Sequence, residues 1–428
     1  MSVGLQRLRD DADAVRRGAR DKGEDPAFVD QATGLDEQRR RLLGETDGLR
    51  AERKAISAAV GAAMKAGGGS EADRLRGQST DLGSRIEAND ARLAELERQI
   101  EELLLRIPNP ADDDVPVGGP EQTRTVREWG EPLPPEADGW TRRPHWELAE
   151  QLGLIDLAAG ASVTGSGFPF YRGAGARLVR ALIGLFMDVH ADEHGMTEIW
   201  PPALINATSA RGTGQIPDKE DQMYVVERDG LYLNPTAEVA VTNIHRDQII
   251  EPDRLPIRYV AYSPSFRREA GAAGRQTRGI VRVHQFDKVE LVSFCSPAES
   301  TVMLEQMTAQ AEAVLQRLGL AYRVRLMATG EMGFTQAKKY DLEAWAPAVG
   351  EWLEVSSISN FRDYQARRMN IRWRPAPAEK PEILHTLNGS GLAVPRTVAA
   401  LLETYQQPDG SIRVPDALRP SLGGTIGA

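Results

Sequence analysis

Residues 266–291, FRREAGAAGRQTRGIVRVHQFDKVEL, carry Arg267, Arg268, Arg275, Arg278 and Arg282, with Gly271, Gly274 and Gly279 between them. Guanidinium forks bind phosphate oxygens in pairs, so a glycine-rich loop bearing several of them is able to close over a polyanion. A surface hairpin with solvated arginines has the same composition, and composition alone leaves both readings open. Three further segments carry chemistry. LYLNPTAEVAVTN (231–243) brings a hydroxyl and a carboxylate, Thr236 and Glu238, to a place where they could read a small polar amino acid. The same PTAE could also simply start a helix, since Thr caps and acids favour the first turn. Residues 350–372 offer Glu354 with Ser356 and Ser357, and residues 385–403 run from NGSG into a helix with Arg396 near its start. Glycine and serine ahead of a helix N-terminus form an anion site.

Positioning these groups requires strands. PIRYVAYS precedes the arginine stretch, and in IVRVHQF Val281, Val283 and Gln285 alternate with Arg282, His284 and Phe286, the period of a two-faced strand. Two antiparallel strands joined by the arginine loop are therefore expected. Residues 322–326 and 351–359 are expected as strands, the latter with Glu354 and Ser356 on one face and Val355 and Ser357 on the other. Lys338, Lys339, Asp341 and Glu343 are placed in a polar turn and the strand after it. Residues 173–194 and 303–318 have helical periodicity, and a helix is expected around residues 145–152, in a stretch (120–172) otherwise irregular. Successive strands without regular helical crossovers predict an α+β fold, a mostly antiparallel sheet flanked by helices.

At 428 residues, two or three domains are expected. Cys295 is the only cysteine, which excludes an intramolecular disulfide or a multi-cysteine zinc site and suits a reducing cytosol. There is no signal-peptide core and no run long enough to cross a bilayer, so a cytoplasmic location without membrane contact is expected. A net charge of −10 argues against indiscriminate nucleic-acid binding while leaving room for a local RNA face. Residues 1–26 predict a short helix ending near Gly23. From 27 to 107, Leu35, Leu42, Leu49, Ile56 and Ala63 recur every seven residues. After Gly67, Gly68 and Gly69, residues Leu82, Ile86, Asn89, Leu93, Leu96, Ile100, Leu103 and Ile107 alternate four and three apart. These heptads predict an antiparallel helical hairpin, with Asn89 fixing register. Its surface holds both signs of charge, so charge does not separate a spacer from an RNA probe. The Pro- and Gly-rich stretch 108–119 marks a boundary near 110, giving an arm domain (1–110) and a second domain (111–428).

The arginine stretch, taken with residues 231–243, 350–372 and 385–403, resembles motif 2, the TAE loop, the second ATP segment and motif 3 of class II aminoacyl-tRNA synthetases, in the form of bacterial seryl-tRNA synthetases. The likeness runs end to end and includes the arm. It implies that serine attacks the α-phosphate of ATP, and that the adenylate then passes serine to the 3′ end of tRNA(Ser), with tRNA(Sec) a further acceptor. It implies that Arg267 bridges the serine carboxylate and the α-phosphate, that Glu269 meets the adenine end, that Phe286 stacks on the ring, and that Arg396 clamps the γ-phosphate. Arg268, Val283, Val355 and Ser356 join them at the nucleotide. Glu354 and Ser357 hold Mg2+, and Thr236, Ala237, Glu238, Glu290 and Ser390 form the serine pocket. Residues 173–205, helix then strand then prolines, resemble motif 1, which implies a homodimer, and the arm is expected to reach serine tRNA; DNA is not an expected partner. His190 and His194 have the spacing of a metal pair, but no acidic set accompanies them, so packing is expected.

Several positions depart from the family's bacterial pattern: Asn234, Ala240, Gln276, Ile358 and Pro395. They motivate an alternative, a specialised copy that is inhibitor-resistant or feeds a biosynthetic pathway. A ligase loading a carrier protein is a second alternative, which the intact arm opposes. Lineage drift is the plain explanation.

Overall fold

A computed structural model describes residues 3–137, 139–270 and 278–427. The chain divides into two compact units, Met1–Pro108 and Asn109–Ala428. The first is helical: α1 (Leu5–Asp21), α2 (Ala27–Lys65) and α3 (Gly69–Leu104). The 39 residues of α2 extend about 58 Å at 1.5 Å per residue. Leu49, Leu82 and Ile86 pack together with Ile56 alongside, and Leu93, Leu96, Ile100 and Leu104 continue the buried stripe of α3. The seam is less apolar than its heptads imply. Asn89 donates to the Thr46 hydroxyl at 3.1 Å, and Thr46 is wholly buried. The Arg53 guanidinium lies over Gly83, where a Cβ would meet it at 3.2 Å. At the base, buried Asp36 accepts two bonds from Arg9 of α1, at 2.6 and 2.8 Å, and two more from Arg39.

The second unit is built on one eight-stranded sheet. Its strands and the main helices are, in chain order, β1 (Arg124–Trp129), α4 (His145–Gln151), α5 (Ala174–Asp188), β2 (Thr197–Ile199), α6 (Ala237–Thr242), β3 (Ile257–Phe266), β4 (Gln285–Cys295), α7 (Ser300–Arg317), β5 (Tyr322–Leu326), β6 (Lys338–Ala346), β7 (Glu351–Arg362), β8 (His385–Ala393) and α8 (Val394–Tyr405). The spatial order is β1-β5-β6-β7-β8-β4-β3-β2. Every pair is antiparallel except β2 with β3. The apolar faces of α5, α7 and α8 bury Leu182, Phe186, Met307, Leu315, Leu401 and Leu402 in one core with Val289, Leu291 and Leu342 of the sheet. A smaller cluster joins Ala237 and Val241 of α6 to Ala261, Val292 and Phe294 of β3 and β4. Among the described residues, no helix is long and apolar enough to cross a membrane.

Five local expectations are corrected. The strand predicted over 280–286 begins only at Gln285. Ahead of it the backbone is bound outward: Ile280 N donates to His145 Nε2, Val281 O accepts from Arg396, and His284 N donates to Gly167 O. The NGSG turn is instead the middle of β8. Its glycines allow close approach inside a central strand: a Cβ on Gly389 would sit 2.6 Å from Ile358 Cγ1, and one on Gly391 would sit 2.8 Å from His190 Nε2. Lys338 and Lys339 lie in β6 rather than in a turn. The alternation proposed for β7 fails because pairing with β6 shifts register between Leu342 and Glu343, and Val355 is the extra residue of the bulge. The helix expected through His194 stops as an α-helix at Asp188 and continues as one π turn, Val189–Glu193. The irregular stretch 120–172 also supplies the edge strand β1, whose side chains are all exposed and carry no burial alternation.

Candidate active site

A cavity of about 680 Å³ opens on the sheet face beneath α6. At one end, the floor is β4 and β8. Phe286, Lys288 and Glu290 are two apart on β4 and point the same way; Glu290 is paired with Ser390 of β8, and Asn388 of β8, paired with Val292, also lines the floor. Lys288 Nζ is 2.5 Å from Glu290 Oε2 and donates to Thr236 Oγ1 at 2.7 Å. Asn388 Nδ2 donates to Glu290 Oε1 at 3.1 Å. Thr236 also caps α6, accepting from Glu238 N at 3.4 Å, so the helix-start reading of PTAE and its place on the cavity wall hold together. Glu238 accepts from Gln365 Nε2 at 2.7 Å. Burial, with the charge of Glu290 behind it, pushes the Glu238 carboxyl up to about 7.

The other end is cationic. Arg267 follows β3 and lies with its guanidinium 5.1 Å from the Phe286 ring centre, while Nε donates to Pro235 O at 3.3 Å. Glu269 has a left-handed backbone (φ 49°) and its carboxylate is held by Arg282 at 2.6 Å. Val283 lines the same wall. Arg396 of α8 donates to Val281 O at 3.0 Å and to Glu354 O at 2.8 Å, with the Glu354 carboxylate 3.6 Å away. Glu354, Val355 and Ser357 of β7 complete this end. Beside them Asp341 pairs with Lys339 at 3.0 Å, and its buried Oδ1 has no hydrogen-bond partner among the described residues. Burial pushes Asp341 upward. Burial acts the same way on Glu354, but Arg396, Lys339 and Arg267 outweigh it and hold Glu354 below the ordinary glutamate value.

Three expected residues fall outside the lining. Arg268 donates to Asp221 O at 3.1 Å, Ala237 is buried in the apolar cluster under α6, and the β7 bulge turns Ser356 Oγ away to donate to Ser390 O at 2.6 Å. Lys219, Lys288, Lys339, Gln336 and Asn388 line the cavity and were not assigned to a site from the sequence, although Lys339 was named there in a polar turn. The two-residue spacing of Phe286, Lys288 and Glu290 was the available signal for Lys288. Lys219 and Gln336 had none.

The departures scatter. Asn234 is fully buried, and neither carboxamide atom has a partner among the described residues. Ile358 fills the space above Gly389, and Pro395 occupies the first turn of α8, where its missing N–H costs nothing. Ala240 packs beside Ile205 and Val239. Gln276 and Arg275 lie outside the described residues.

Two family models match the chain: the seryl-tRNA synthetase N-terminal domain over residues 4–111 and the tRNA synthetase class II core domain (G, H, P, S and T) over 224–405. The serine–tRNA ligase of Gemmatimonas aurantiaca is 47% identical over 425 residues, covering 99% of each chain. That of Exiguobacterium sibiricum is 49% identical over 423 residues, 99% of this chain and 98% of its own. The crystal structure of seryl-tRNA synthetase from Pyrococcus horikoshii complexed with ATP superposes with a TM-score of 0.95 at 36% identity, covering 99% of both chains. With relatives of 47–49% identity and a solved structure matched over 99% of its length, the chain belongs to the seryl-tRNA synthetase family of class II aminoacyl-tRNA synthetases.

Proposed function

We propose that the cavity activates L-serine with ATP and that the seryl group then passes to the 3′ end of tRNA(Ser), the activity of a serine–tRNA ligase. The observation that carries this reading is that one cavity joins a carboxylate-and-hydroxyl pocket (Thr236, Glu238, Glu290, Ser390) to an arginine wall (Arg267, Arg396), with Arg267 donating to Pro235 O, next to Thr236, and lying over the Phe286 ring.

Serine's ammonium meets the carboxylates, and its hydroxyl pairs with buried polar groups. Alanine and glycine are small enough to enter, but would leave those groups unpaired, which is how a polar pocket rejects a smaller competitor. Threonine is excluded by its methyl group. Arg267 then sits between the attacking carboxylate and the α-phosphate. Phe286 takes the adenine, Glu269 its edge, and Arg396 the terminal phosphate. Attack at phosphorus needs positioning and charge neutralisation more than a strong base, which suits a site of arginines and carboxylates.

The donor set near Glu354 fits Mg2+: the Glu354 carboxylate, the Ser357 hydroxyl and Asp341 Oδ1, which has no hydrogen-bond partner among the described residues, are hard oxygens. Bound there, the ion would neutralise phosphate charge. The arm is assigned to tRNA(Ser), with tRNA(Sec) a further acceptor. A homodimer through α5 and β2 is supported by Trp200, 73% exposed directly after β2, with its ring 5.1 Å from that of Tyr262 and tilted 55° to it. A cytoplasmic location belongs to the same proposal. Serine-dependent ATP–pyrophosphate exchange, with alanine, glycine and threonine as controls, followed by charging of serine tRNA, tests the whole reading. Exchange without charging would move the acceptor elsewhere, and no exchange with any amino acid would overturn it.

A further inference from the structure

Glu403 lies two turns beyond Arg396 on α8 and is wholly buried, as is His145 at the start of α4. Neither lines the cavity. Glu403 Oε1 accepts from His145 N at 3.0 Å and faces His145 Nδ1 at 2.9 Å, while Oε2 accepts from Ala348 N at 3.0 Å and Val349 N at 3.3 Å. With backbone N–H groups around it, the carboxylate acts as acceptor throughout, so Nδ1 of His145 carries the ring proton. That leaves Nε2 as the lone-pair nitrogen, and it accepts from Ile280 N at 3.4 Å. The ring also presses on the chain one residue earlier. Gly279 has φ +75°, and a Cβ there would fall 2.2 Å from His145 Nε2. The next carbonyl, Val281 O, accepts from Arg396 Nε at 3.0 Å. Two neighbouring backbone groups of the arginine-rich segment are thus tied to one helix, one directly by Arg396 and one through His145 by Glu403.

We propose that Glu403 and His145 are positioning residues for ATP: they hold residues 279–283, one wall of the nucleotide end of the cavity, in register with Arg396. The proposal rests on reading that end as the ATP site. The relay fixes backbone atoms, so its loss lets Ile280, Val281 and Val283 drift from Arg396 while the serine pocket, built on β4, β8 and α6, keeps its own bonds. A misplacement of about 1 Å at a reacting site costs up to roughly a hundredfold.

The test uses the full chain. His145→Phe keeps a ring and removes both ring hydrogen bonds. His145→Gln keeps a donor and an acceptor. Gly279→Ala pushes on the ring from the other side. Pyrophosphate exchange is measured with ATP varied at saturating serine, then with serine varied at saturating ATP, alongside hydrogen exchange of the Ile280 amide. The expected result is a KM for ATP raised about tenfold in His145→Phe and Gly279→Ala with KM for serine within about twofold, partial rescue in His145→Gln, and loss of Ile280 protection. A folded His145→Phe or Gly279→Ala protein with unchanged KM for ATP, or with both KM values raised equally, would overturn the proposal. Should His145→Phe fail to fold, Gly279→Ala and His145→Gln still decide it. Absence of serine-dependent exchange in the unmodified protein would instead bring down the site reading, and the Ile280 amide would still report whether the relay holds the wall.

Discussion

The two units handle charge in opposite ways. In the arm, ion pairs are mostly local: Arg98 with Glu95 and Glu102, Arg74 with Glu71 and Arg76 with Asp73 each join residues three or four apart on the exposed surface of α3. In the catalytic unit, the charged groups that matter are buried and gathered from distant segments. Lys288 reaches Thr236, Gln365 reaches Glu238, and Glu403 reaches His145. Exposed local pairs stabilise little because water and salt screen them, whereas buried charges are costly unless every partner is in place. The arm therefore tolerates change along its surface, and the cavity does not. Asp36 is the instructive exception, a buried carboxylate in the arm held by an arginine from another helix.

The contrast is sharpest at Arg267. Arg267→Ala is expected to slow exchange about 10²–10³-fold, the usual loss when one donor at a developing charge is removed. Arg267→Lys should recover only part, since a point charge cannot replace the fork. Thermal melting should barely move in either; a large drop in melting temperature would mean that Arg267 is structural.

Glu238 gives the next largest effect and a pH signature. Its folded value, about 7, lies above the ordinary one, so on the proposed serine pocket the free protein binds a proton there that the ligand's ammonium would displace. Serine affinity should therefore fall as pH drops below about 7, by at most about tenfold per unit, with proton release on binding. Calorimetry in two buffers of different ionisation enthalpy reads this. Equal apparent heats in both buffers near pH 6.5 would count against it, and Glu238→Gln should abolish the pH dependence along with most of the affinity.

Gly389→Ala tests close packing in the central strand. Its Cβ would overlap Ile358 at 2.6 Å, so a loss of about 1–3 kcal/mol in urea unfolding is expected, with relief in a Gly389→Ala, Ile358→Val double variant. Additive rather than compensating losses would place the strain elsewhere.

Two arm substitutions set the lower end. Asp36→Asn weakens the charged bonds to Arg9 and Arg39 and should cost the arm about 1–2 kcal/mol while leaving serine-dependent exchange unchanged. The Arg9 hydrogen bonds hold Asp36 below the ordinary carboxylate value, so its stabilisation is present above that value and fades as pH falls through the lower, folded one. Arg98→Ala, on the open face, should give no measurable change in melting. A clear shift there would break the contrast between the two units.

Much was legible because periodicity and local chemistry leave marks in one dimension. The arm's hairpin followed from leucines and isoleucines seven, four and three apart, since a helix turns every 3.6 residues whatever surrounds it. Strand Tyr322–Leu326, the helix of 174–188 and the capping Thr236 were set by alternation, stripe and cap. Most of the expected site residues line the cavity because each stood in a compact motif. What failed depended on neighbours. NGSG has turn chemistry, yet it is a strand because Ile358 and His190 need the room its glycines leave. IVRVHQF alternates, yet Arg396 and His145 claim its backbone before a ladder forms. Ser356 was misplaced by one bulge, which reverses every side chain beyond it. Helix and hairpin are decided by bonds between residues a few positions apart, and the sequence states these outright. Which lysine meets which glutamate at the cavity floor is decided only when eight strands are in register, by contacts spanning up to hundreds of residues.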